Sequence, residues 1–168
     1  TLWKNQAILQ EKYTHSPDAL LQGDGKGVVL FADTFNAYFE NENLQAAIRL
    51  LEIAGYRIHI PQPTKATRTE QPGCGKQFCC GRTYLAAGMV NEAKERLGAL
   101  LTHLHPYAER GIAILGLEPS CLFTFKDEAL VMGFGEQAIT VSQQAQLLET
   151  FLVAELKAGR CQFDLKAA

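Results

Sequence analysis

Residues 27–61 read GVVLFADTFNAYFENENLQAAIRLLEIAGYRIHIP, and this stretch decides the fold. It opens with a short, continuous apolar run, 27–32, of the kind that forms a strand buried on both faces of a sheet. Apolar residues then recur at helical spacing over 44–51, and 56–60, which is stopped by Pro61, is typical of a second strand. This order of strand, helix and strand predicts a βαβ unit with parallel strands.

The rest of the chain extends this pattern. Further elements are predicted as a helix from 79 to about 106, a strand over 112–117, a helix over 142–158 and an alternating strand over 160–165. The predicted fold is α/β, an open three-layer Rossmann-like sandwich with a mainly parallel sheet of about four strands. We interpret 1–26 as an N-terminal linker or extension and 27–168 as one domain.

Charge and hydropathy exclude several classes of protein. The chain has 168 residues, with 16 Lys plus Arg against 18 Asp plus Glu, so the basic excess of a nucleic-acid-binding protein is missing. No apolar run approaches the roughly 20 residues that a membrane span needs. We expect no nucleic-acid partner, no transmembrane segment and a cytoplasmic location. The first residue is Thr1 rather than Met, which suggests a piece of a longer polypeptide.

Three of the five cysteines fall within PGCGKQFCCGR, residues 72–82. An odd number of cysteines, two of them adjacent, favours metal binding or redox chemistry over a disulfide framework. Cys79 and Cys80 precede Gly81 and a helical pattern, so they are expected at a helix N-terminus. That position stabilises a thiolate by about 0.3–1 kcal/mol.

The topology predicts where these residues meet. Ligands of open α/β sheets bind outside the carboxyl ends of the strands. Asp33 follows the first predicted strand, the cysteine-rich loop follows the second, and Cys121 follows the third. We therefore expect these side chains at one edge of the sheet. Of the other candidates, Cys161 is expected in the core, His59 in a structural hydrogen bond and His103 as a solvated cap near a helix end.

Several motifs carry a resemblance to a known family. The segments FADTFNAYFE (31–40), FCCGRTYLAAG (78–88) and GLEPSC (116–121), the last followed by KDE, resemble the cysteine-rich CCG domain. That domain occurs in heterodisulfide reductase and in the iron-sulfur component of glycolate oxidase. The closest resemblance is to the C-terminal portion of FAD-linked D-2-hydroxyacid dehydrogenases of the D-lactate or D-2-hydroxyglutarate type. It covers roughly 27–165.

The resemblance implies an iron-sulfur cluster of the 4Fe-4S kind, bound by Cys79, Cys80 and Cys121. The family's cysteine after the first strand is missing here, and so is the second sulfur of its last CxxC element. A complete set therefore needs Cys74, a non-cysteine ligand such as Asp33, or a second domain. Residues Gly81 and Arg82 flank the implied cofactor site, and the isolated fragment can lack the cluster.

The implied function is electron transfer from FAD, which is bound elsewhere in the full-length protein, toward a quinone or another acceptor. The implied partners are flavin and ferredoxin-like domains of the same polypeptide, with a peripheral membrane or quinone link. By itself the fragment is not expected to be catalytic. Two alternatives stay open: a cluster-free docking module of the same oxidoreductase, and a structural zinc site formed by Cys74, Cys79, Cys80 and Cys121.

Overall fold

A computed structural model describes residues 12–63 and 77–163 of the chain. Its sheet has four parallel strands in the spatial order β2-β1-β3-β4. Val29 of β1 lies between His59 of β2 and Ile114 of β3. The predicted α/β fold is confirmed. The strands are β1 (Gly27–Phe31), β2 (Arg57–His59), β3 (Ala113–Gly116) and β4 (Ala145–Leu147).

Helices cover both faces of this sheet. In chain order the described helices are α1 (Pro17–Leu20), α2 (Asn41–Ile53), α3 (Arg82–Ala86), α4 (Val90–Ala108), α5 (Pro119–Phe123), α6 (Ala129–Val131), α7 (Glu136–Gln144) and α8 (Leu148–Lys157). Two π-helical turns, Phe35–Phe39 and Thr124–Glu128, follow β1 and α5. None of the helices in these described segments is long and apolar enough to span a membrane.

Alternate residues of β1 point into two separate cores, as the period of a strand requires. Val28 and Leu30 pack with α2 and α8 on one face, whereas Val29 and Phe31 pack with α4 and α7 on the other. The three layers are therefore helices, sheet and helices, as the sequence predicts. Within 12–26, the described part of the predicted extension, Tyr13 and Leu20 are buried, one in each core.

The fourth strand differs from the prediction. The predicted helix over 142–158 is interrupted by β4, between α7 and α8. Lys126 Nζ fixes this break because it donates hydrogen bonds to the carbonyls of Ser142 and Ala145, at 3.1 and 2.7 Å. The predicted strand over 160–165 is wrong in its described part, since 160–163 form no strand. Cys161 is nevertheless buried in the α2 and α8 core, as expected.

The strand order reverses beside β1. From β1 the chain moves to β2 on one side and then returns to β3 on the other. The loops that leave the carboxyl ends of β1 and β3 therefore diverge, and they open a crevice between them.

Candidate functional site

Asp33 follows β1 at the crevice, and its carboxylate accepts hydrogen bonds from the residues that come next in the chain. Its Oδ1 accepts the N–H groups of Phe35 and Asn36 at 2.9 and 3.1 Å, and its Oδ2 accepts Asn36 Nδ2 at 2.7 Å. The side chain is buried. These three hydrogen bonds fix the start of the π-helical turn. Asp33 therefore acts as a structural anchor, and its oxygens are occupied.

The π-helical turn presents aromatic rings to the crevice. The Glu40 N–H donates to the Phe35 carbonyl at 2.8 Å, which closes the wide turn. Phe35 and Tyr38 are each 53% exposed and Phe39 is 76% exposed. The Phe35 and Phe39 rings lie 6.0 Å apart, centroid to centroid. Exposed aromatic side chains in such number are costly in water unless something covers them.

The cysteine pair lies on the other side of the crevice. Cys80 is 3% exposed, whereas Cys79 is partly accessible. The Gly81 N–H donates to Cys79 Sγ at 3.4 Å. Gly81 itself has φ +86, and it is the residue that precedes α3. The pair therefore lies in a tight turn, and the positive φ at its third residue, Gly81, is one that glycine adopts far more easily than other residues.

Cys121 faces the pair from the start of α5. The Glu118 carboxylate accepts hydrogen bonds from the Ser120 N–H and hydroxyl, at 3.3 and 2.8 Å, and so caps this short helix. Cys121 is 7% exposed. Its sulfur lies within hydrogen-bonding reach of the Cys80 thiol, and Cys80 in turn contacts the Cys79 thiol. Residues separated by about forty positions thus meet, as predicted, and all three are free thiols.

One cavity of about 290 Å³ joins these elements. Its lining combines the three thiols with aromatic rings and a few polar groups: Phe31, Asp33, Thr34, Phe35, Tyr38, Phe39, Gln77, Cys79, Cys80, Thr83, Tyr84 and Cys121. We call this cavity the thiol pocket. It lies at the carboxyl ends of β1 and β3, as the topology predicts.

The protonation of the thiols differs from the prediction. The hydrogen bond to Cys80, together with burial, strongly raises the pKa of Cys79. The hydrogen bond to Cys121 raises the pKa of Cys80 to about 12. Cys79 and Cys80 do precede a helix, as expected, but α3 begins at Arg82 and has five residues, and the thiolate expected at this position is opposed by the raised pKa values. The neighbouring sulfurs therefore keep protons unless a bound cation replaces them.

Arg96 places a positive charge near these sulfurs, and sequence reasoning missed it. Its guanidinium is buried and lies 5.7 Å from the Tyr84 ring centroid. Its charge acts to lower the pKa of Cys79, against the stronger effects that raise it. A charged residue on a helix is usually solvated, so only its periodicity with Ala93 and Leu97 on the buried side of α4 could have indicated this placement.

The remaining predicted site residues are placed differently. Arg82 is exposed and pairs with Glu128 at 2.9 Å, and it does not line the thiol pocket. Gly81 shapes the turn beside Cys79. Cys74 lies outside the described residues.

The donor chemistry of the pocket fits a thiolate-bound group in part. Cys79, Cys80 and Cys121 supply three sulfurs, and the Gly81 N–H already bonds one of them. Within 12–63 and 77–163, no group of three or more His, Cys, Asp or Glu side chains is arranged to hold a metal ion. In a 4Fe-4S cluster with four cysteine ligands each sulfur binds its own iron, so the sulfurs need not converge on one point.

A histidine cluster packs behind the cysteine turn. His59 Nδ1 accepts the His15 N–H at 3.1 Å, and its Nε2 lies 3.1 Å from His103 Nε2. The Tyr107 ring stacks on His59, while Phe78 packs against His103 with centroids 5.0 Å apart. The structural role expected for His59 is confirmed. The solvated cap expected of His103 is wrong, because its imidazole is part of this cluster.

These buried imidazoles predict a loss of stability in acid. Burial, with repulsion from His103 and His15, lowers the pKa of His59 to about 3, and burial also lowers that of His103. The unfolded chain therefore binds protons first, so the contribution is complete above about pH 6.5 and is lost as the pH falls toward 3. We expect the free energy of unfolding to fall by about 1.4 kcal/mol per pH unit for His59 between about pH 6 and 4.

Urea denaturation at a series of pH values measures this slope. His59→Gln removes the buried imidazole and should flatten the slope by about one proton relative to the unmodified chain. His105→Gln, on the same helix as His103, is the control and should leave the His59 contribution in place. An unchanged slope in His59→Gln would contradict the assignment.

The glycine of the cysteine turn gives a second prediction. A Cβ on Gly81 would lie 2.8 Å from the Ala93 carbonyl oxygen, whereas a Cβ on Gly88 would meet nothing within 4 Å. Both residues have positive φ. We expect Gly88→Ala to cost about 1 kcal/mol of unfolding free energy and Gly81→Ala about 2–3 kcal/mol. Thermal and urea denaturation of the two variants measure the difference, and equal losses would contradict the close contact.

Comparison with known proteins does not identify a family for this chain. The chain matches no protein-family model, no curated protein and no solved structure. The fold and site by themselves define an α/β domain with a parallel sheet and a pocket that joins three thiols to an aromatic wall.

Proposed function

We propose that this chain is the iron-sulfur, electron-transfer portion of a FAD-linked 2-hydroxyacid oxidoreductase. The observation that carries the proposal is the meeting of Cys79, Cys80 and Cys121 in one pocket at the strand ends. Those are the three cysteines that match the CCG motif. The flavin and ferredoxin-like domains belong to the same polypeptide in this proposal, and the protein works in the cytoplasm.

The residues of the pocket suit this task. Cys79, Cys80 and Cys121 would hold the cluster, with Cys74 as the source of a fourth sulfur. A bound iron-sulfur cluster supplies one-electron transfer at a potential that its surroundings set. The Gly81 N–H and the buried Arg96 guanidinium favour negative charge on Cys79. The aromatic rings lower the polarity around the sulfurs, which also tunes such a potential.

The electrons and protons of the proposed reaction balance between the 2-hydroxyacid, the flavin and the final acceptor. Oxidation of a 2-hydroxyacid to the 2-oxoacid releases two electrons and two protons. The flavin takes up the pair as a hydride and a proton, and the electrons then leave singly toward a quinone or another acceptor. This chain contributes the passage of single electrons. The flavin and the substrate-binding residues lie elsewhere in the proposed polypeptide.

Rapid mixing of the anaerobic, complete polypeptide with D-lactate or D-2-hydroxyglutarate tests the proposal. We expect flavin reduction in the unmodified protein and in Cys121→Ser alike, because the flavin domain is unchanged. Onward reduction of a quinone should fall by at least about tenfold in Cys121→Ser only. Equal onward rates, in a protein without iron at these cysteines, would favour the docking module. Retained zinc without iron would favour the zinc site.

A further inference from the structure

The thiol pocket has a second character besides its sulfurs. Phe31, Phe35, Tyr38, Phe39 and Tyr84 give it five aromatic rings. At about 290 Å³ it lies near the lower end of small-ligand pockets. It therefore suits a single planar head group rather than a large cofactor such as a dinucleotide. Aromatic walls hold planar rings by offset stacking and edge contacts.

Specific hydrogen bonds hold the π-helical turn that carries Phe35, Tyr38 and Phe39. The buried Asp33 carboxylate fixes the first N–H groups of the π-helical turn, and the Glu40 N–H closes it. Single π-helical turns are rare and occur frequently at functional sites. Here the turn directs Phe35, Tyr38 and Phe39 toward the pocket although water reaches all three.

Gln77 adds a polar requirement. Its Nε2 donates a hydrogen bond to the Ala32 carbonyl, and this fixes the orientation of the amide. Its Oε1 is buried and has no hydrogen-bond partner among the described residues. An unpaired buried acceptor is costly, so a ligand that brings an O–H donor gains from meeting it. Gln77 lines the same pocket.

We propose that the thiol pocket binds the ring of a quinone, and that the hydroquinone form donates an O–H to Gln77 Oε1. The ring stacks among the exposed rings of Phe35, Tyr38 and Phe39, and it leaves the buried sulfurs of Cys80 and Cys121 to the proposed cluster. A quinone becomes a hydroquinone by taking up two electrons and two protons, which are those that the 2-hydroxyacid releases. This role in turnover rests on the proposed function, whereas binding of the ring does not.

The probe is 2,3-dimethyl-1,4-naphthoquinone, whose substituted ring carbons resist addition of thiols. Anaerobic titration uses the complete polypeptide with Cys80→Ser and Cys121→Ser, so that facing thiols cannot reduce the probe and no cluster is needed. We expect Phe35→Ala and Phe39→Ala each to weaken binding by about tenfold. Ile53→Ala, an exposed apolar residue on α2 away from the pocket, is the control and should bind normally.

Gln77→Met tests the polar contact. In the background with Gln77 intact the hydroquinone should bind about tenfold more tightly than the quinone, and Gln77→Met should remove that preference. The inference is overturned by absence of binding, by binding that the Phe35 and Phe39 variants leave unchanged, or by a preference for flavin mononucleotide over the quinone. Absence of quinone binding, together with cluster iron in the unmodified polypeptide, would leave the electron-transfer proposal intact. Quinone binding, together with no iron at the three cysteines of the unmodified polypeptide, would remove only that proposal.

Discussion

Replacing Cys80 with serine in the complete polypeptide is expected to remove the iron and sulfide of the proposed cluster. Cys80 is buried between the Cys79 and Cys121 sulfurs, so its loss breaks the set at its centre. A neutral serine hydroxyl is a poor substitute for a thiolate at iron. We expect iron and sulfide per polypeptide each to fall by about four after anaerobic purification, whereas the flavin absorbance and the iron of the ferredoxin-like domain should stay.

Cys161→Ser is the matched control for that experiment. Cys161 is as buried as Cys80 and Cys121, but it packs in the opposite core, with α2 and α8. The variant should keep its iron and lose only a little stability. Equal iron in Cys80→Ser and Cys161→Ser would contradict the assignment of Cys80 as a ligand.

The second large effect concerns the core beneath the pocket. Phe125 has no exposed surface, and its ring meets Phe31 edge to face at 5.4 Å. Phe31 ends β1 and also lines the thiol pocket. We expect Phe125→Ala to lower the free energy of unfolding by about 3–5 kcal/mol, because it leaves a cavity in a closely packed core. Urea denaturation followed by circular dichroism measures the loss.

Phe123→Ala removes the same atoms from a half-exposed site two residues earlier. Its expected cost is below about 1 kcal/mol, because water already reaches the ring. Similar losses in the two variants would show that Phe125 does not hold the sheet against α5 and its π-helical turn.

The fold could be predicted from the sequence where apolar runs are long enough to identify. The strands beginning at Gly27 and Ala113 follow from their runs of Val, Ile, Leu and Phe. β4 could not be predicted because it has three residues and lies inside a stretch with helical periodicity. Its position depends on Lys126, which is distant in sequence, and local patterns carry no such information.

The site was predictable as far as topology determines it. The rule that parallel strands present their carboxyl ends at one edge brought Asp33, Cys80 and Cys121 together correctly. It could not show that Asp33 would be occupied by the backbone of the next turn. Nor could it show that hydrogen bonds between the thiols would raise the pKa values of Cys79 and Cys80 more than the five-residue helix lowers them.

The central claim is that thiols from the cysteine turn and from α5 share one pocket, and mild oxidation of the cluster-free Cys79→Ser chain tests it directly. Removal of two hydrogens should join Cys80 to Cys121, because their side chains line the same pocket and interact there by a hydrogen bond. Trypsin then releases peptide 77–82 linked to peptide 111–126, which mass spectrometry identifies. We predict that this linked pair is the main disulfide. Its absence, with Cys80 and Cys121 each free or paired elsewhere, would contradict the account.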